Sequence, residues 1–307
     1  MNKRVGYLYD PDFLLHDTGP FHPESAERLR AIEKALAPLK PRLLALEPIA
    51  VAETLLTTVH TPEMVERVRQ ACESEAPIDA DTVCVRASWQ SALKAVGSGI
   101  TAVDAVKKGQ ITRAFCAVRP PGHHATADTA MGFCLFNNVA VTARYAQSQG
   151  FEKVAIIDFD VHHGNGTQAI FYDDPSVLYL STHQSPAYPG TGHTREKGVG
   201  KGLGYTFNFP LPPNSGNETL LSIYRDKLPK ILHPFAPDLL LVSAGYDLHA
   251  DDPLAQLRVT TEGVREMVKQ ILKTAGKTPV LFFLEGGYDT RALGACVAVT
   301  VEELLRF

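Results

Sequence analysis

The apolar run Val154-Ala155-Ile156-Ile157 passes directly into Asp158-Phe159-Asp160-Val161-His162-His163-Gly164-Asn165-Gly166, and this join constrains the fold more than any other stretch. Four apolar residues without alternation read as a strand covered on both faces, the habit of parallel sheets. Two glycines then lead into a helix-like segment over residues 167–172. Asp158, Asp160 and His162 thus stand at the carboxyl end of a parallel strand, where open α/β sheets place their sites. Alternate residues of extended chain point the same way, so Asp160 and His162 share a face and Asp158 can join from inside the strand. A carboxylate beside an imidazole supplies two ligands of a metal centre that needs one or two more. Acids in such a loop can also simply cap the next helix. Five ionisable or polar side chains between a buried strand and a glycine turn favour the chemical reading.

The same alternation runs along the chain. Strands are expected at residues 5–9, 114–118, 177–182, 205–209, 238–242 and 280–284. Helices are expected at 25–36, in pieces over 51–71, and at 87–107, 137–147, 217–232, 260–273 and 290–305. This pattern predicts an α/β fold with a mostly parallel central sheet and helices on both faces. Candidate site residues end strands from Val118 to Leu284, so any cut near the middle would divide the site. Residues 1–307 therefore read as one catalytic domain.

Composition narrows the partners. Apolar residues make up 45 % and charged residues 21 %, as in an ordinary soluble globular protein. A net charge of −4 and a pI near 6.3 argue against a nucleic-acid or membrane surface. No apolar run reaches membrane-span length, and the N-terminal residues lack a signal-peptide core. The five cysteines are scattered with no C-x-x-C pair, which points to reduced thiols in a cytoplasmic protein.

Three further strand ends complete a candidate site. Asp247 follows the apolar strand 239–242 and a glycine, in the same structural position as Asp160. Two carboxylates and one imidazole would leave positions open for water and substrate, a catalytic arrangement suited to zinc, with ferrous iron or manganese as alternatives. His123 and His124 follow Pro120-Pro121-Gly122, and two adjacent imidazoles both need polar partners. Asp158 or Asn165 can fix their tautomers. A histidine beside a metal site is the usual general base and acid of hydrolysis. Tyr288, after Glu285-Gly286-Gly287, can swing its hydroxyl towards a developing oxyanion. The long glycine-rich loop 184–204, which carries Tyr188-Pro189-Gly190-Thr191-Gly192, has the length of a functional loop.

Taken in order and spacing, these segments resemble the zinc-dependent histone deacetylase family, including its bacterial and acetylpolyamine amidohydrolase relatives. The resemblance runs from Phe21-His22-Pro23-Glu24 through Arg119-Pro120-Pro121-Gly122-His123-His124, Gly132-Phe133-Cys134 and Asp158 to Gly166, then Ser243 to Asp247 and Glu285 to Tyr288. Asn165 is similar to the class II branch; class I members usually carry Asp there. The resemblance implies an arginase-like fold with zinc on Asp160, His162 and Asp247. It implies that Asp158 orients His123, that Asn165 orients His124, and that His124 is the general base and acid. Gly132, Phe133 and Tyr188 would line the substrate tunnel, with Tyr188 departing from the usual Phe. Leu254 would stand at its gate, and Asp81 would match a rim acid. Arg28 would line the family's internal acetate pocket on the same tunnel. A structural potassium ion would lie near Asp158, Asp160, His162, Ser181 and Thr182, with a second around Phe171, Asp174, Val177 and Tyr205.

The implied partner is an acyl-lysine protein or a small acylated amine, and homo-oligomers are left open. A dinuclear manganese ureohydrolase is rejected because its extra carboxylates would fall at Gly164 and His249. A non-catalytic acyl-lysine reader is disfavoured because every expected catalytic side chain is present. Leu254, rather than an acid, at the gate favours acyl-lysine over an acetylated polyamine, although Asp251 and Asp252 lie close by.

Overall fold

Residues 4–307 are described by a computed structural model. Eight strands form one sheet: β1 (Arg4–Leu8), β2 (Leu43–Leu46), β3 (Ile111–Cys116), β4 (Val154–Asp158), β5 (Val177–Gln184), β6 (Thr206–Leu211), β7 (Leu239–Ala244) and β8 (Val280–Leu284). Their order is β2-β1-β3-β8-β7-β4-β5-β6, and every pairing is parallel. The sheet is thus more uniform than the mostly parallel one expected. Parallel neighbours require crossovers, and ten helices among the described residues accompany them: α1 (Ala26–Leu36), α2 (Glu53–Leu56), α3 (Pro62–Ser74), α4 (Arg86–Lys107), α5 (Asn138–Ser148), α6 (Asn165–Ile170), α7 (Asn217–Asp226), α8 (Leu228–Phe235), α9 (Thr261–Ala275) and α10 (Thr290–Arg306).

The helices fall into two packed groups. α1, α7, α8, α9 and α10 lean on one another, while α3, α4 and α5 form the second group, and α10 and α4 both reach β1 and β3. The central strands β4, β7 and β8 are buried along their whole length, which explains their unbroken apolar sequences.

Two elements depart from the sequence expectation. The segment 217–232 was expected as one helix, but it breaks at Lys227, and Pro229 sits in the first turn of α8. A proline ring supplies no N–H and clashes with the preceding turn, so it opens a helix more readily than it continues one. Strand β2 was not expected. Leu43-Leu44-Ala45-Leu46 has neither alternation nor β-branched residues, and it is held at the sheet edge by pairing with β1.

The strand order brings the carboxyl ends of β3, β8, β7 and β4 side by side. That shared edge is where the chemistry-bearing residues gather.

Candidate active site

At the end of β4 the chain turns through Asp160 and His162, and the end of β7 supplies Asp247. One ligand atom from each lies within 4.8 Å of the others. Main-chain donors fix the two carboxylates from behind. Gly286 N donates to Asp160 Oδ2 at 2.8 Å, His162 N to Asp160 Oδ1 at 2.9 Å, and Val161 N to Asp247 Oδ1 at 2.9 Å. This leaves Asp247 Oδ2 buried without a hydrogen-bond partner among the described residues, although His162 Nδ1 approaches to 3.2 Å. The carboxylates sit in a cradle that only glycine permits. A Cβ at Gly245 would lie 2.0 Å from Asp160 Oδ2, and one at Gly286 would lie 2.1 Å from Asp247 Oδ2.

Electrostatics tell the same story. Burial and the neighbouring Asp160 charge push Asp247 up to about 7. Burial disfavours charge on His162, but hydrogen bonds and charges from Asp160 and Asp247 outweigh it and raise the ring to about 10. Two buried carboxylates thus hold a proton on the imidazole in the place a dication would take. An orphaned carboxylate oxygen and a converging N/O donor set fit a mononuclear metal with open positions.

The tandem histidines follow β3. His123 Nδ1 is 3.0 Å from Asp158 Oδ2, and its Nε2 is 3.9 Å from Asp160 Oδ2. Burial opposes its charge, yet Asp158 and then Asp160 hold it up at about 10. His124 is the opposite case. Burial and the adjacent positive rings of His123 and His162 hold it well below the usual imidazole value. Its Nδ1 meets Asn165 Oδ1 at 2.8 Å, while the Asn165 amide nitrogen points to His124 O and Met131 Sδ. That network makes Nδ1 the donor and leaves Nε2 with a free lone pair.

The loop holding the pair is anchored by a residue that sequence reasoning did not place in the site. Glu285, fully buried at the end of β8, accepts from Gly122 N at 2.7 Å, His123 N at 3.2 Å and Ser243 Oγ at 3.0 Å. Burial pushes it up to about 7. A lone acid closing a wholly apolar strand was the available signal.

Above this base lies a cavity of 250 Å³ whose walls include His123, His124, Gly132, Phe133, Tyr188, Leu254 and Tyr288, with Asp81 at the edge. Gly132 has φ +58, and a Cβ there would stand 2.7 Å from His124 Cδ2. Phe133 also adopts positive φ, at 68°, which is uncommon for an aromatic residue. Its ring meets His22 and Tyr288 edge-on, and the Tyr188 ring sits edge-on to His124. His22 also contacts Asp81 O at 3.0 Å, tying the Phe21-His22-Pro23-Glu24 segment to the rim. Burial, then the Asp247 charge, raises Tyr288 well above its ordinary value, so its hydroxyl stays protonated.

Arg28 is the exception among the tunnel residues. It does not reach the cavity wall. It is fully buried behind Tyr288, 5.1 Å from the ring centroid, where it donates to Gly287 O at 2.7 Å, to Glu285 O, and to Glu24 Oε1 at 3.0 Å. Glu24 in turn binds Arg119, so the Arg28 guanidinium, expected at an internal pocket, sits in a buried ion cluster.

Of the residues considered for potassium, Asp158 pairs in register with Ser181 across β4 and β5. The Ser181 and Thr182 hydroxyls are taken by His183 Nδ1 and Tyr224 OH, each at 2.8 Å. A larger hollow of 590 Å³ lies at the opposite, amino-end side of the sheet, lined by Arg4, Arg42, Arg113 and Lys277. Among the described residues its lining holds no acidic side chain and no ligand set, so size alone does not locate the site.

The histone deacetylase domain profile matches residues 22–304, which includes the carboxyl ends of β3, β4, β7 and β8 that build the site. The chain belongs to the histone deacetylase family. Its relatives there include a probable deacetylase of Archaeoglobus fulgidus, 39 % identical over 93 % of this chain and 81 % of that protein. The chloroplastic histone deacetylase 10 of Oryza sativa is 40 % identical over 92 % of this chain and 70 % of its own. The histone deacetylase-like amidohydrolase of Pseudomonas aeruginosa is 33 % identical, covering 99 % and 87 %. Among solved structures, the HDA15 HD domain superposes with a TM-score of 0.94 at 36 % identity, covering 99 % of this chain and 88 % of that one. As a histone deacetylase family member the protein is a hydrolase of amide bonds, and Asp160, His162 and Asp247 form a possible site for the metal on which that family's activity depends.

Proposed function

We propose that this protein removes acetyl or another acyl group from the Nε atom of lysine in proteins or peptides, with one zinc ion held by Asp160, His162 and Asp247. The observation that carries the reading is the orphaned Asp247 Oδ2 among converging ligand atoms at the foot of a narrow, largely apolar cavity. A borderline cation on two carboxylates and one imidazole supplies Lewis acidity towards a carbonyl and makes a neighbouring water more acidic. The chain's own groups do the rest. Neutral His124 takes a proton from the attacking water at Nε2 and later returns it to the leaving amine. His123, held cationic by Asp158, adds positive charge beside the reacting carbonyl. The Tyr288 hydroxyl donates to the oxygen on which negative charge develops. Phe133 and Tyr188 exclude water and grip the aliphatic stem of the acylated side chain.

Three features favour lysine over a polyamine. Leu254 is an exposed apolar residue at the mouth. Asp251 faces Arg291 at 3.4 Å, and Asp252 turns inward to main-chain amides. Asp252 is therefore not free to meet a distal ammonium, and Asp251 already faces a cation. Potassium beside Asp158, Ser181 and Thr182, and residence in the reducing cytoplasm, with five free buried cysteines, belong to the same proposal. Ranking kcat/KM over acyl-lysine peptides and acetylated polyamines tests the substrate class. Lysine peptides should lead, and a consistent preference for acetylated polyamines would overturn it.

A further inference from the structure

We propose that Asp252 is a positioning residue that locks Tyr288 to the gate loop, so that the oxyanion donor and the tunnel mouth are set by one carboxylate. This rests on the role given above to Tyr288. Asp252 is buried at 7 % exposure, yet no cationic side chain of the described residues pairs with it. Both of its oxygens go to main-chain donors instead. Oδ1 accepts from Leu254 N at 3.0 Å, and Oδ2 accepts from Tyr288 N at 2.7 Å and, more weakly, from Asp289 N at 3.4 Å. Leu254 and Tyr288 both line the cavity, so the carboxylate bridges two of its walls.

Tyr288 needs such an anchor. The two residues before it are glycines, and Gly287 has φ +119, a conformation other residues rarely adopt. A Gly-Gly pair lets the loop pass close to the ligand carboxylates but brings no side chains of its own to hold it, so its position rests on hydrogen bonds to its backbone. Arg28 holds the carbonyl side of that turn, through Gly287 O and Glu285 O. Asp252 holds the amide side. Beyond it, the Asp289 side chain caps α10 through Ala292 N at 2.8 Å, so the tyrosine is suspended between a helix start and the gate loop. A hydroxyl that must meet an oxyanion within hydrogen-bond distance loses its advantage when its backbone wanders.

Asp252→Asn replaces one acceptor oxygen with an amide that cannot accept from a main-chain N–H. It should lower kcat by about tenfold to hundredfold with little change in KM or in bound metal. The decisive readout is the double-mutant cycle with Tyr288→Phe. In that background Asp252→Asn should cost less than about threefold, because its effect runs through a hydroxyl already removed. If Asp252→Asn does not fold, Asp252→Ser, smaller and still an acceptor, takes its place in the cycle. Equal losses in both backgrounds would reduce Asp252 to general support and overturn the proposal, as would an unchanged kcat for Asp252→Asn. If Tyr288→Phe itself leaves kcat unchanged, the catalytic reading of Tyr288 fails first and this inference falls with it.

Discussion

The base of the site and its rim are built by different means. At the base, Asp160, His162, Asp247, His123 and Glu285 leave the ends of buried parallel strands, and main-chain amides or buried side chains fix most of them. At the rim, Tyr188 and Leu254 stand on loops and are 42 % and 44 % exposed. A rigid base can hold reacting groups in a preorganised geometry, while an exposed rim can change its side chains without disturbing the ligand set. The contrast assigns chemistry to the base and choice of substrate to the rim.

The largest expected effect comes from the base. Asp247→Ala, or chelation of the wild type, should abolish turnover, and one equivalent of zinc should restore the chelated enzyme but not the variant. Metal analysis alongside the assay checks both, and full activity in metal-free Asp247→Ala would break the comparison at its root. Because His162 holds a proton up to about 10 without metal, metal uptake should release protons and weaken as pH falls. Calorimetric titration in buffers of different ionisation enthalpy reads that release.

Next comes Tyr288→Phe. Loss of one oxyanion donor costs on the order of 10²–10³ in kcat, or about 3–4 kcal/mol. KM should hardly move, since the bond forms in the transition state. Near-normal kcat in the variant, which keeps the ring against Phe133, would mean that Tyr288 only packs.

The rim gives a smaller, directional effect. Leu254→Glu should shift the kcat/KM ratio towards acetylated polyamines by about tenfold, since a carboxylate at the mouth can pair with a distal ammonium. An unmoved ratio would show that Leu254 does not contact the distal end of the substrate.

A separate effect, on stability rather than turnover, concerns the framework behind both regions. Burial lowers His16, His60 and His183 to about 4. His60 Nε2 accepts from Asn137 N at 2.9 Å, a bond that requires a neutral ring. Unfolded histidines bind protons below about 6.5, so the unfolded chain takes up more protons and stability falls as pH drops from about 6.5 towards 4. Each ring contributes on the order of a few kcal/mol at most. Urea midpoints at pH 7.5 and pH 5 should differ in that direction.

The same division explains how much could be read from the sequence. Strand-end motifs are local: the apolar run before Asp158 and the one before Asp247 announce both the strands and their carboxyl ends. The eight-stranded order, by contrast, depends on pairings between distant segments, and β2 carries no pattern of its own. Arg28 shows the limit most clearly. Its motif spacing was legible, but its guanidinium is turned away from the cavity by Glu24 and two carbonyls that only the folded chain assembles. The roles of Glu285 and Asp252 were not legible for the same reason, since their partners include main-chain amides that no sequence motif displays.

The separation of base from rim is tested most directly by one ratio. The kcat/KM for an acetyl-lysine peptide divided by that for an acetylated polyamine should be measured for the wild type, Tyr288→Phe and Leu254→Glu. Tyr288→Phe should depress both substrates alike and leave the ratio within about threefold of wild type, while Leu254→Glu should move it by about tenfold. A Tyr288→Phe variant that moves the ratio as far as Leu254→Glu would contradict the account.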